Sequence, residues 1–524
     1  MGQAPVESSP QVDVPSMLNV AVEYVDGAVA AGHGDRPAYI SDTERVTFAE
    51  LQRRVNRVGN TLIALGVEIE QRVAILLPNR SEFVTSFFGA IKIGAVPAAI
   101  SYAVTPDEQS FLLADSRARA IITTPAFWAP LRERRSQFPF LRHVVLVGDG
   151  AAHPGEHDFR KLVDSAPTRL EAVPTAAEDA AFWLHTSGST GTPKWAMHLQ
   201  RDTLYSERLY AAPFVALRPD DVIVCGSPCF HAYPLGFTTY FALKAGATVV
   251  LNSERSTPAR MFHLIREHRA TVFVGVPTLY AQMLQAVSTG EPADLSSIRV
   301  CFAAAEPLPA DLYRRWRERF GIEILDGIGT TEALHIFISN RVGEARPGSS
   351  GRPVPGYRIR LVDDSGADVL PGEVGNLLVS GGSVFAGYWR RQEATKRGLQ
   401  GDWYHTGDKY RQDADGYYWY MGRADDLLRV SGHWVSPAEV EAALISHPSV
   451  LEAAVVGKED KDGLIKPRAF VVVRDGISAS ESLVEELKAH VKSTSAPYQY
   501  PRWIEFVSAL PKTATGKIQR FKLR

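Results

Sequence analysis

The sequence predicts an α/β protein: a large N-terminal domain of mostly parallel, helix-covered sheets, followed by a small α+β domain. Two observations carry this. Short apolar runs that do not alternate with polar residues recur along most of the chain, with helix-like segments between them, and the rhythm changes near residue 425. Runs of that kind are strands buried on both faces, and strands separated by helices form parallel sheets with the helices packed on them.

In chain order, "VAILLP" (73–78) precedes "SEFVTSFFGAIKIGA", where Ser81 is placed to cap a helix. The runs "RAIITT", "HVVLVG", "DVIVCG", "TVVL", "TVFVGVP" and "IRVCFAAAE" follow. Past the change of rhythm, "SPAEVEAALISHP" is a punctuated helix. Ser436 suits its N-cap, Pro437 its first position and Glu439 the return arm of a capping box, while Val440, Ala443 and Leu444 share one face and Pro448 lies beyond its end. Strand-like "VLEAAVVG" and "RAFVVV", a helix around "ESLVEELKAHVKS" and a last strand "WIEFV" complete a second unit. The short polar crossing "GRADD" (422–426) separates the two, giving domains at 1–424 and 425–524.

The chain has 524 residues, 45% of them hydrophobic, enough for a large core in more than one domain. Lysine and arginine number 57 against 59 acidic residues, so the net charge of −2 gives no footprint for nucleic acid or an anionic membrane. Cys225, Cys229 and Cys301 have no zinc-ligand spacing and read as buried thiols. The N-terminal stretch lacks a secretory pattern, Val6 stands where a myristoylation signal needs a hydroxyl, and no run is long enough to span a bilayer. A cytoplasmic protein is expected.

"HTSGSTGTPKW" (185–195) has the chemistry of a phosphate-binding loop. Gly188 and Gly191 let backbone amides approach oxygens, Thr186, Ser187, Ser189 and Thr190 add donors, and Lys194 adds a charge. A Walker loop needs a hydroxyl directly after its lysine; here Trp195 follows, which excludes that class. "DGIGTTE" (326–332) follows strand-like "IEIL" and ends in a carboxylate suited to magnesium. "YHTGD" (404–408) places Asp408 after a turn, "GRADD" brings in Arg423, and "PKTATGKIQR" (511–520) carries Lys517 on a glycine-containing loop.

In order and together these segments resemble the adenylate-forming superfamily, from about residue 20 to the end. The stretches "ILDGIGTTEALHIFISNR", "GRPVPGYRIRLVD", "RVSGHWVSPAEVE" and "LPKTATGKIQRFKLR" are similar to its benzoate–CoA ligase branch. The resemblance implies a two-step reaction that uses ATP, Mg2+ and coenzyme A. An aromatic carboxylate attacks the α-phosphate, giving an acyl adenylate and pyrophosphate, and a thiol then displaces AMP. The first step joins two anions, which at ~4 Å repel by about 1 kcal/mol in water and about 4 kcal/mol at an effective dielectric near 20. Cations fixed where charge develops are therefore required.

By that resemblance Lys517 is the catalytic cation, Thr331 contacts the α-phosphate, Glu332 holds magnesium, and Asp408 and Arg423 bind ribose. Ala304 and Glu306, in "AAAEPLP", line the adenine site, with Asp326 and Gly327 beside them. Ala305 and Trp195 each stand where the superfamily usually has glycine; a small change of nucleotide fit is expected at Ala305. The small domain is implied to be mobile, rotating about a hinge at Asp425 so that Ser431, Gly432 and His433 form a coenzyme A tunnel. The implied acyl pocket comprises Ala232, Tyr233, Gly329, Leu334, His335 and Ile336. Arg429 falls where close relatives have lysine. Three departures bear on the acid. His231 and Pro234 replace an aromatic residue and a glycine, and Ala333 replaces a bulkier side chain, which is expected to open space. An amino- or hydroxybenzoate, anthranilate foremost, is the expected substrate. The alternatives are delivery to a carrier-protein thiol and a non-catalytic nucleotide-binding protein. A monomer or homodimer is expected.

Overall fold

The computed structural model describes residues 10–149, 153–187, 192–423, 428–430, 433–460, 464–474, 476–494, 499–512 and 518–524. Its architecture is mixed α/β, with two large sheets in which each apolar run named above forms a strand. In the eight-stranded sheet, Ala180–Ser187, Val96–Ala99, Arg72–Leu76, Ala120–Thr123, His143–Leu146 and Glu156–Asp158 lie parallel side by side. Pro193–Leu199 folds back antiparallel on Ala180–Ser187 and is followed by Gly387–Tyr388. The nine-stranded sheet has a parallel centre made by Ile324–Gly329, Val300–Ala303, Val272–Gly275, Val222–Cys225, Thr248–Val250 and Pro37–Ile40, with antiparallel strands at both edges. The central strands are apolar on both faces because both faces are covered; every residue of Val272–Gly275 and Val300–Ala303 is buried.

A third sheet departs from the sequence expectation. Arg358–Val362, Val374–Ser380, Trp403–Gln412, Leu399–Gln400 and Tyr418–Arg423 pair antiparallel throughout. One face of such a sheet stays wet, so its strands lack the continuous apolar runs that announced the others. The C-terminal unit matches its prediction closely. Val450–Glu459, Ile465–Val473 and Trp503–Phe506 form one sheet, with the helices Pro437–Ile445 and Glu481–Thr494 beside it and Val440, Leu444, Leu487 and Val491 in its own core.

Local punctuation differs from expectation at two helices. Ser81 is the first helical residue of Ser81–Lys92, with Arg80 at the N-cap; its hydroxyl donates to Glu44 instead of capping. Ser436 does cap its helix, accepting from the Glu439 amide at 3.2 Å, but the Glu439 carboxylate accepts from Gln499 rather than returning to the cap. A complete capping box sits at Thr105 and Glu108, which sequence reading did not single out.

The structure accounts for Trp195. Its side chain is fully buried between the eight-stranded sheet and the helix Pro106–Ser116, with Nε1 donating to the Leu112 carbonyl at 3.3 Å. Its ring neighbours are Trp183 at 6.3 Å and His185, edge-on, at 5.8 Å. Trp195 therefore fills core beneath the phosphate-loop hairpin, while Lys194 next to it points to the other side of the strand. All three cysteines are buried, and burial pushes the Cys229 thiol up to about 12. No helix among the described residues is long and apolar enough to cross a membrane.

Removing the indole should leave a cavity the packed sheet cannot fill. Trp195→Gly is expected to lose at least ~3 kcal/mol of stability, read as a lower urea midpoint. A loss below about 1 kcal/mol would show that Trp195 is not a core anchor.

Candidate active site

The implied site residues gather where strands of both large sheets end. Thr186 lies near the end of Ala180–Ser187, Ala304 to Glu306 follow Val300–Ala303, and His231 follows Val222–Cys225 by one loop. Crevices at the carboxyl ends of parallel strands are the usual ligand site of such sheets. Strand Ile324–Gly329 runs further than expected and includes "DGIG", so the turn begins only at Thr330. There the chain doubles back so tightly that a Cβ on Gly329 would lie 2.4 Å from the His335 carbonyl oxygen. Leu334 closes the turn with φ +66°, its amide donating to the Thr331 carbonyl at 3.1 Å.

Glu332 is the centre of a charged cluster. Its carboxylate accepts a 2.5 Å hydrogen bond from Tyr388 Oη, and Tyr404 faces the same group. Lys194, opposite Thr186 in the hairpin register, places Nζ 5.0 Å from the Tyr388 ring centre. Burial is the main cause lowering the Lys194 pKa, partly offset by the charge of Glu332. One carboxylate beside a lysine fits a magnesium ion carried on nucleotide phosphates, because that ion keeps few protein ligands. Glu332 is the residue that would hold it, and the ion would supply neutralisation of phosphate charge.

Asp408 and Arg423, the two implied ribose ligands, are paired with each other, and Asp408 lies on different secondary structure from that expected. Asp408 lies within the long strand Trp403–Gln412, opposite Arg423 on Tyr418–Arg423, not after a turn. The strand bulges there, with Gly407 at φ +75°; a Cβ on it would come 2.9 Å from Arg423 Nη2. Arg423 Nη1 donates to Asp408 Oδ1 and to the Thr406 carbonyl, both at 3.1 Å. Burial opposes charge on this guanidinium, but Asp408 outweighs it and the pKa ends above its ordinary value.

Around the implied adenine site, Ala305 adopts φ +75°. That conformation explains why glycine is usual here, and a side chain costs about 1–2 kcal/mol. Glu306 accepts from Thr278 Oγ1 at 2.9 Å, and its other oxygen is buried without a partner. Burial pushes its carboxyl up to about 7, against the Thr278 hydrogen bond and the charge of Lys512. The Asp326 side chain is buried, one of its oxygens has no partner, and burial raises its pKa above the ordinary value. Gly327, next along the strand, is buried beside Ile336.

The acyl segments place His231 and Tyr233 at the start of the helix Ala232–Thr238, both partly exposed. The His231 ring is tilted against Phe230 at 4.4 Å and His185 at 6.3 Å. His335 Nε2 donates to the Tyr233 carbonyl at 3.1 Å, so its Nδ1 carries a lone pair, and that atom has no partner. Burial lowers the imidazoles of His231 and His335 to about 3 and that of His185 to about 4, leaving all three neutral near pH 7. Ala333 is buried with Leu334 and Ile336, and its carbonyl accepts from Ser383. Ala232 and Pro234 are buried in the helix itself.

Sequence reasoning missed the support under Thr331. His198 Nε2 donates to the Thr331 carbonyl at 2.8 Å, and its Nδ1 is hydrogen-bonded to the Asp202 carboxyl at 2.9 Å; the His198 and Asp202 side chains are fully buried. The histidine and aspartate stand four apart in "HLQRD", a spacing that says nothing of Thr331. Gly188, Ser189, Thr190, Gly191, the hinge Asp425, Ser431, Gly432 and Lys517 lie outside the described residues, as do the side chains of Ser187, Arg429 and His433.

Comparison with known proteins sets this geometry in a family. The AMP-binding enzyme model matches residues 27–389 and the AMP-binding enzyme C-terminal domain matches residues 439–517. A benzoate–CoA ligase from Thauera aromatica is 47% identical over 517 residues, 98% of this chain and 97% of that protein. The chain belongs to the benzoate–CoA ligase family of adenylate-forming enzymes. A 4-hydroxybenzoate–CoA/benzoate–CoA ligase from Rhodopseudomonas palustris shares 43% identity over 97% of the chain and 94% of its own length. Among solved structures, the anthranilate CoA ligase AuaEII in complex with anthranoyl-AMP superposes with a TM-score of 0.94 at 40% identity, covering 98% of both chains. A benzoate CoA ligase from Burkholderia xenovorans LB400 gives 0.89 at 41% identity, covering 97% of this chain and 99% of that one.

The buried Glu306 gives a family-independent check. Its raised pKa means the folded state favours the protonated acid, so stability is full below the ordinary carboxyl range and falls as pH rises through about 7. Glu306→Gln should melt increasingly above the wild type between about pH 5 and about pH 8. A difference that does not change with pH would contradict the buried-acid assignment.

Proposed function

We propose that this AMP-forming aryl-CoA ligase acts on a benzoate carrying an amino or hydroxyl group, with anthranilate as the leading acid. The observation that carries the reading is the set of unpartnered polar atoms on the acyl segments: His231 Nε2, Tyr233 Oη and His335 Nδ1. A plain phenyl ring offers none of them a hydrogen bond. An amino or hydroxyl substituent supplies donors to the neutral imidazoles and satisfies groups whose burial otherwise costs about 1–3 kcal/mol each. A site built to bond a polar substituent discriminates against the analogue that lacks it. The solved relative in complex with anthranoyl-AMP supports the same choice.

In the reaction, the chain's cations do the first work. Lys194 and Arg423 flank the cluster around Glu332, and Lys517, carried over by motif, is assigned between the aryl carboxylate and the α-phosphate. Thr331, held by His198, is assigned to the phosphate oxygens, and the Asp408–Arg423 pair to the ribose hydroxyls. Attack of the carboxylate oxygen on the α-phosphorus expels pyrophosphate; attack of the coenzyme A sulfur on the acyl carbon then expels AMP. Rotation at Asp425, with Gly432 opening the thiol's path, is the assigned change between the steps.

His231→Phe restores the family's aromatic residue and removes one acceptor. The ratio of kcat/KM for anthranilate to that for benzoate should fall roughly 5- to 100-fold, corresponding to about 1–3 kcal/mol. A wild-type enzyme that prefers benzoate, or a ratio unmoved by the substitution, would contradict the reading.

A further inference from the structure

The eight-stranded sheet has a second cluster at the end opposite the candidate active site. Arg72 opens the strand Arg72–Leu76, Arg119 directly precedes Ala120–Thr123, and Arg142 directly precedes His143–Leu146. Arg117 caps the helix Pro106–Ser116. With Gln71 and Phe140 these four arginines line a half-enclosed cavity of about 180 Å³. No carboxylate lines it.

None of the four guanidiniums forms an ion pair among the described residues, whereas nearby Arg132 and Arg134 pair with Glu156 and Asp107. Arg72 donates to the Ser116 and Glu70 carbonyls, each at 2.9 Å, and Arg142 to the Pro139 carbonyl at 3.2 Å. Arg119 Nε is buried without a partner, and the Arg117 guanidinium lies 5.3 Å from the Phe140 ring centre. Burial lowers the Arg72 pKa, and the neighbouring charge of Arg117 adds to that, with Glu70 opposing. Four like charges around one partly dry space repel one another, and an anion between them reverses the sign of that interaction. The protein as a whole carries a net charge of −2, so this concentration is local.

The size and chemistry select the anion. The half-enclosed space has room for a phosphate group, and its open side leaves the rest of a larger ligand outside. Guanidinium forks match phosphate oxygens in pairs. We propose that this cavity is a phosphate-binding site separate from the active site, taking inorganic phosphate or the phosphomonoester end of a larger ligand. The inference does not depend on the aryl-CoA ligase reading.

Equilibrium dialysis of the full chain against radiolabelled inorganic phosphate tests it. One saturable site per chain is expected, retained in Glu332→Gln and lost in Arg117→Gln/Arg142→Gln. Both of those arginines lie at the cavity rim, and an unchanged melting temperature would show that the double variant folds. Arg119→Gln should weaken binding by itself. Displacement of the label by AMP would identify a phosphomonoester site, and its persistence an inorganic phosphate site. Tryptophan fluorescence gives a second readout, because Arg72 stacks 5.3 Å from Trp183 and 5.2 Å from Trp389. Absence of saturable binding, or binding abolished by Glu332→Gln and untouched by the arginine substitutions, would overturn the proposal.

Discussion

The repulsion between an aryl carboxylate and the phosphates of ATP is the constraint on which the rest of the structure turns. Bringing them together requires cations that do not drift, held in a space drier than water. Each cation described here is fixed by something other than its ligand. Lys194 is pinned in a strand hairpin, its charge balanced by Glu332 and its ammonium over the Tyr388 ring. Arg423 is clamped by Asp408 and the Thr406 carbonyl beside a strand bulge that Gly407 favours. Cations held in place before charge develops are where such sites gain most of their effect.

Behind that charged layer stands a rigid apolar one. Trp195 occupies the core side of the strand that carries Lys194, and Trp183 and Trp389 extend the aromatic packing under the hairpin. On the other flank the buried His198–Asp202 pair holds the Thr331 carbonyl. The acyl segments follow the opposite rule, leaving polar atoms of His231, Tyr233 and His335 unpartnered. Unpartnered oxygens also remain on Glu306 and Asp326, beside the implied adenine site.

Much of this was legible in the sequence because it depends on local chemistry. Doubly buried strands read as unbroken apolar runs, and the helix at Pro437–Ile445 carries its own cap. The motif residues Lys194, Glu332, Asp408 and Arg423 were found through their order and spacing. What escaped was set by tertiary contact. The antiparallel sheet from Arg358 to Arg423 has one wet face and no continuous signal. Trp195 looked anomalous until Leu112 and Trp183 were seen around it. Asp326 and Ala333 are implied site residues whose burial was not legible in the motif. The cavity arginines are scattered from Arg72 to Arg142 and converge only because parallel strands start side by side.

The central claim is that the acid is activated on phosphate before any thiol is engaged. Exchange of labelled pyrophosphate into ATP, measured with anthranilate and magnesium but without coenzyme A, tests this directly. The account predicts exchange that requires the aryl acid and proceeds in full absence of the thiol. No exchange until coenzyme A is added, or release of ADP in place of AMP in the complete reaction, would contradict it.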